Sequence, residues 1–308
     1  MARADLWPPA RTLWRGPVMT SDNRRGALLM TAAMAGFAIE DMFLKAAARH
    51  VPVGQVMALM GLAGMVVFGL MSRQRGEPVL PRIMASRVMA VRSVCEVAGR
   101  LFHALAIALT TLSATSAILQ ATPLVVIAGA ALLFAEKVPL SRWIAVGVGF
   151  LGVLLILKPG VAGFSALSLL AVAGTIGFAG RDLATRAAPK GLSNRQLGTL
   201  GFAMLATAGA LILGWTGGAH LPDPEGAALI AATALFGILG YHALTAAMRT
   251  GEVSAVTPFR YTRLVFALAL GALFFAERPD AATLAGAALI VGAGLFGLTR
   301  QRGRISRA

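Results

Sequence analysis

Apolar stretches of about 20 residues alternate along the chain with short polar connections that carry most of its arginines. Ten such stretches fall near residues 27–48, 53–71, 88–109, 113–134, 140–157, 164–187, 196–215, 226–248, 253–275 and 281–299. A helix needs roughly 20 residues to cross about 30 Å of hydrocarbon, whereas barrel strands read as short alternating segments. The pattern therefore predicts an all-α integral membrane protein with ten transmembrane helices.

One stretch of this pattern occurs twice. Residues 36–47 read GFAIEDMFLKAA and residues 177–188 read GFAGRDLATRAA, a displacement of 141 positions, as from Asp41 to Asp182. At the same displacement Phe134, Ala135 and Glu136 match Phe275, Ala276 and Glu277, each trio followed by a basic residue and, within two further positions, a proline. The chain divides accordingly into an arm (1–25), a first five-helix repeat (26–160), a second (161–300) and a basic tail (301–308). Five spans is an odd number, so the second repeat enters the membrane from the opposite side and the repeats are inverted. Two such halves have two packings of comparable energy, one open to each side, which is a common basis for alternating access.

Composition agrees with this reading. The chain is 57% hydrophobic and 13% charged, with mean hydropathy +0.75, where soluble domains are about one-quarter charged. A net charge of +15 would point to nucleic acid in a soluble protein; here the basic residues gather in loops on one side. With the N-terminus inside, about nineteen Lys and Arg lie on cytoplasmic loops and tails, among them Arg73, Arg75, Arg82, Arg87, Lys137, Arg142, Lys190, Arg195 and Arg300, against about three outside. Both termini are expected in the cytoplasm. The one cysteine, Cys95, excludes an intrachain disulfide and a thiolate metal cluster. Arg3, Arg11, Arg15, Arg24 and Arg25 precede the first span with no apolar core or cleavage site, so no signal peptide is expected there. Met19, followed by a short polar lead, is the expected start, with 1–18 as a disordered tail or an artefact.

Ten spans in two inverted repeats, each with Phe-Ala-Glu before a glycine-rich helix, resemble the drug/metabolite transporter superfamily and specifically its EamA-type members, over about residues 26–300. Pro258-Phe259-Arg260-Tyr261 with Arg263 is similar to the branch that holds S-adenosylmethionine and riboflavin uptake proteins. The resemblance implies a secondary carrier of the bacterial inner membrane, exporting or importing a small organic metabolite, with its site between the repeats.

Candidate chemistry lies in the charges embedded in the spans, because an ionisable residue in hydrocarbon is costly and usually faces a cavity or a partner. These are Glu40, Asp41, Glu96 and Asp182 against Lys45, Arg92, Arg100, Arg181, Arg260 and Arg263. Lys45 and Arg92 are expected to snorkel to opposite interfaces, which balances the remainder. Arg92, Glu96, Arg100 and His103 share one face of the third span; the first two read as an intrahelical pair, the last two as cavity lining. His103 and His242 occupy comparable positions in the two halves, with no metal-ligand spacing beside either. Asp41 with Lys45 and Asp182 with Arg186 have i, i+4 geometry, read equally well as duplicated salt bridges or as functional groups. Glu40 and Arg181 are equivalent positions of opposite charge, a reversal that structure alone gives no reason for.

Pro123 and Pro258 are expected to kink the fourth and ninth spans. Gln120 falls opposite Tyr261, an amide and a phenol able to orient a polar ligand, while Phe37 and Phe178 offer aromatic faces or packing. Arg260 and Arg263 are the expected solute contacts, and Glu40 the expected proton-coupling acid, with Arg181 its partner in one of two conformations. No nucleophile elbow, phosphate loop or His-acid metal site is present, so no catalytic residue, cofactor or metal is expected. A channel-like facilitator and an intramembrane enzyme remain as alternatives. The expected partners are a small polar solute, anionic or zwitterionic and with or without an aromatic ring, membrane lipids, and, through the glycine-rich fifth and tenth spans, a second copy of the chain.

Overall fold

The computed structural model describes residues 21–134, 140–158, 165–186, 191–250 and 256–305. Ala135, Glu136, Lys137, Lys190 and residues 1–18 lie outside these, as do the side chains of Arg142, Arg186 and Arg300. Every regular element among the described residues is helical. The spans are Ser21–Ala47, Val53–Gln74, Arg87–Leu109, a fourth in two pieces (Leu112–Leu119 and Thr122–Phe134), Leu140–Leu157, Ser168–Arg186, Asn194–Thr216, Pro224–Thr250, a ninth that begins as a 3₁₀ turn over Thr257–Tyr261 and continues as Thr262–Phe275, and Ala281–Ile305. Among the described residues five helices are long and apolar enough to cross a membrane by themselves. The third and sixth spans miss that standard because charges interrupt them, which is where the site lies.

Packing between spans follows the repeat. The first span packs on the eighth and the third on the sixth; the second packs on the seventh, the fourth on the ninth and the fifth on the tenth. Moving each span five places exchanges the first two contacts and returns the other three to themselves, as a two-fold relation between repeats requires. Glycines set the closeness of the exchanged pair. A Cβ on Gly177 would lie 2.6 Å from the Cα of Gly99, and one on Gly36 would lie 3.1 Å from the Cα of Gly240. Phe178 and Phe37 flank these crossings, so the duplicated motif is first a device for bringing two helices together. In the fifth and tenth spans, Gly152 and Gly286 pack on each other within the bundle, whereas Gly147 and Gly292 face open space.

The fourth and ninth spans are each interrupted, and the interruptions fall at equivalent positions. The fourth span breaks at Gln120 and Ala121, just ahead of Pro123, and the ninth changes from 3₁₀ to α at Tyr261, which is Gln120 displaced by one repeat. A threonine hydroxyl donates to a carbonyl of the preceding turn at each break: Thr122 to the Leu119 oxygen and Thr262 to the Phe259 oxygen, both at 2.6 Å. The Gln120 amide then donates to the Arg260 carbonyl at 3.1 Å and ties one break to the other.

Outward faces carry large apolar side chains, among them Leu62, Val66, Leu70, Val94, Leu132, Phe150, Leu211 and Leu239. A belt of this kind suits lipid rather than water. At the end poor in arginine, His50 bridges two carboxylates of the next repeat, with Asp223 at 3.6 Å from Nδ1 and Glu225 at 3.8 Å from Nε2.

Candidate functional site

A cavity of about 320 Å³ lies between the repeats. It runs from Thr185, Asn194 and Thr245, near the arginine-rich end, to Leu44, Met57 and Ala104, short of the other end. Each repeat contributes one helical face. Phe37, Glu40, Asp41 and Leu44 come from the first span, and Phe178, Arg181, Asp182 and Thr185 from the sixth, at spacings that keep four side chains on one side of a helix. The third span adds Arg92, Arg100 and His103, and the two broken spans add Gln120, Arg260, Tyr261 and Arg263. Glu96 stands behind the wall, 2% exposed, and Lys45 and His242 are not among the lining residues.

The charges form a connected chain through the protein. Arg100 lies 3.5 Å from Glu40 and 3.2 Å from Glu96; Glu96 also takes Arg92 at 3.5 Å and Arg181 at 3.3 Å. Arg181 continues to Asp182 at 2.8 Å, and Asp182 to Arg260 at 3.8 Å. Asp41 stands outside this chain, held by Arg263 at 2.5 Å with His103 at 3.4 Å. Each duplicated aspartate thus faces one of two arginines three residues apart on the ninth span. Guanidiniums also cover the duplicated phenylalanines: Arg263 lies 5.4 Å from the ring centre of Phe37, and Arg181 lies 5.0 Å from that of Phe178.

Several sequence-based expectations are corrected by these contacts. Asp41 does not turn to Lys45 on its own helix; Lys45 reaches Glu277 at 3.7 Å and donates to the carbonyls of Ile107 and Thr110. Arg92 does not snorkel but is 3% exposed, donating to Thr185 at 3.0 Å, because Glu96 and Thr185 give its guanidinium partners inside the bundle. Glu40 is paired here with Arg100, and Arg181, expected as its partner in one of two conformations, is two steps further along the chain. His242 is exposed, whereas His103 is buried in the cavity wall, so the two histidines differ in surroundings. The Arg186 side chain lies outside the described residues, and with it the Asp182–Arg186 pair.

Tyr241, Thr185, Asn194 and Thr245 are polar lining residues that the sequence did not single out, and Tyr241 is the one with a signal that could have found it. Displacing Arg100 by one repeat lands on it, so the signal was present in the same offset that aligned Glu40 with Arg181. Among the described residues, Glu40 Oε2, Arg92 Nη1, His103 Nδ1, Tyr261 Oη and Arg263 Nε are buried with no hydrogen-bond partner. Buried polar atoms normally have partners, so a cluster of unpartnered ones around a cavity leaves bonding capacity for something that enters it.

The sequence profile of the EamA-like transporter family matches residues 24–158 and again residues 165–299. The pseudopaline exporter CntI of Pseudomonas aeruginosa is 29% identical over 274 residues, 87% of this chain and 94% of its own. A riboflavin transporter of Rhizobium johnstonii is 29% identical over 182 residues, 58% of this chain and 59% of its own. A solved crystal structure has the same fold, with TM-score 0.57 and 18% identity over 87% of this chain and 97% of that one.

Proposed function

Since the chain belongs to the EamA-like transporter family, we infer that it is a secondary active carrier that moves a small polar organic metabolite with an anionic group across the bacterial inner membrane. The observation that carries this reading is the cavity between the repeats, with its unpartnered donors and one acid. At about 320 Å³ it is in the size range of small-molecule sites. Five arginines against four acids leave one positive charge around it, and relatives named for pseudopaline and riboflavin favour an organic solute over an inorganic ion. Arg260 is the arginine freest to bind: its contact to Asp182 is long, and its side chain is 30% exposed. Tyr261, Arg263 and His103 present the neighbouring donors, while Met34, Met57, Met60 and Leu205 supply an apolar wall. Because the cavity stops short of one end, the arrangement favours alternating access over a channel-like facilitator.

Arg260→Gln is expected to weaken solute binding by about 2 kcal/mol, roughly thirtyfold, because one charge-assisted hydrogen bond is lost. The measurement is titration calorimetry of purified protein with solutes from an uptake screen. An unchanged affinity would remove Arg260 from the site.

The loop-charge asymmetry supports a topology with both termini in the cytoplasm and the arginine-rich end innermost. A cysteine at Asp223 should then react with an impermeant thiol reagent added outside intact cells, and one at Arg195 should not. The reverse pattern would invert the topology.

A further inference from the structure

At the arginine-poor end of the bundle, one carboxylate gathers contacts from several of the spans that line the cavity. Glu277 follows the ninth span, where Ala276 takes a left-handed conformation at φ 52° and the Glu277 amide returns to the Gly271 carbonyl at 3.0 Å. This turn aims the side chain back across the bundle at the start of the fourth span. There one carboxylate oxygen accepts the Leu112 amide at 2.8 Å, and the other accepts the amide and hydroxyl of Ser113 at 3.0 and 2.6 Å. Those amides have no partner within their own helix, and their positive end of the helix dipole suits an anion. Gly271 makes room: a Cβ there would lie 2.7 Å from the carboxylate and 2.8 Å from the Ser113 hydroxyl.

Lys45 completes the tie from the first span. Its ammonium lies 3.7 Å from Glu277 and donates to Ile107 and Thr110, whose carbonyls end the third span. Phe275 lies beneath it, 5.4 Å from the ammonium to the ring centre. Four spans, the first, third, fourth and ninth, are therefore joined at one point, and these spans supply most of the charged wall of the cavity. Leu44, immediately before Lys45, belongs to the cavity lining, so the tie sits directly above the cavity's closed end.

We propose that Glu277, with Lys45 and the start of the fourth span, is the outer gate of the carrier: its contacts hold the cavity shut toward the outside, and their release opens it. This rests on the alternating-access reading above. Every contact in the tie joins different spans, so a relative shift of the repeats breaks all of them together without costing any helix its own hydrogen bonds. A staple that only holds the fold has no need to lie above the cavity or to join the spans that line it. The sequence also repeats the residue types at the 141-residue displacement, with Ser254 for Ser113, Arg186 for Lys45 and Glu136 for Glu277.

The test places a cysteine at Ala104, in the cavity's closed end, in a Cys95→Ala background, and follows its reaction with an impermeant maleimide in right-side-out and inside-out vesicles. The otherwise intact chain should react from the inner side and scarcely from the outer. Glu277→Gln should raise the outer rate about tenfold or more, and Ser113→Ala, which leaves both amides in place, should raise it less. If Glu277→Gln does not reach the membrane, Ser113→Ala decides by itself. An outer rate unchanged in the variants, with the inner rate intact, makes the tie a structural staple and overturns the gate while leaving the carrier reading. Reaction from neither side in the intact chain would remove the accessible cavity, and the alternating-access reading would fall with the gate.

Discussion

Replacing Glu96 with alanine is expected to destabilise the protein by about 3 to 5 kcal/mol, the cost of leaving buried charge without its partner. Glu96 is 2% exposed and is approached by Arg92, Arg100 and Arg181 at 3.2 to 3.5 Å. The three arginines are not equally dependent on it. Arg100 keeps Glu40 and Arg181 keeps Asp182, whereas Arg92 would retain only the Thr185 hydroxyl. The unbalanced charge therefore falls mainly on Arg92, which gives the prediction its internal check. Arg92→Met in the Glu96→Ala background should recover part of the loss, since a buried ion pair replaced by apolar groups is often neutral. Unfolding of purified protein in detergent, monitored by circular dichroism against denaturant, measures both. A loss under about 1 kcal/mol for Glu96→Ala would mean that water in the cavity already solvates these guanidiniums.

Glu40→Gln is expected to abolish accumulation of solute driven by a pH gradient while leaving exchange at equal pH within about twofold. Among the four acids of the site, Glu40 is the least securely held. Among the described residues its one ion pair is with Arg100, at 3.5 Å the outer limit of a hydrogen bond, and its second oxygen has no hydrogen-bond partner. Glu96 has three arginines, Asp41 has Arg263 and His103, and Asp182 has Arg181 and Arg260. Arg100 bridges Glu40 and Glu96, so a small movement of the third span toward the sixth would give Arg100 wholly to Glu96. A buried carboxylate without its cation is stable as the protonated acid, and the return of Arg100 expels the proton. Coupling follows if the movement accompanies the change of access. Glutamine keeps the shape and removes the proton site, so the driven and exchange modes should separate. Proteoliposomes with an imposed pH gradient measure the first, and counterflow at equal pH the second. Gradient-driven accumulation that survives in Glu40→Gln would make Glu40 a structural residue.

The sequence by itself determined the ten spans, the two repeats and the identity of the buried charges, because each of these is a one-dimensional signal. Apolar length sets a span, and the 141-residue displacement sets the repeat. An ion in hydrocarbon is conspicuous wherever it occurs. The prolines at 123 and 258 marked the two spans that prove to be interrupted, and the same displacement aligned Gln120 with Tyr261. What the tertiary structure alone decided is which charge meets which. Asp41 has Lys45 four residues away on its own helix, yet it meets Arg263 from the ninth span, and Lys45 meets Glu277 beyond it. Arg92 turns inward for the same kind of reason. A side chain's choice between a neighbour on its own helix and one on another depends on how each helix is rotated and how closely it crosses the next. Those quantities are fixed by contacts such as Gly177 on Gly99 and Gly36 on Gly240, which lie between residues far apart in the chain. Local spacing lists the partners within reach along one helix, and only the crossing of two helices selects among all of them.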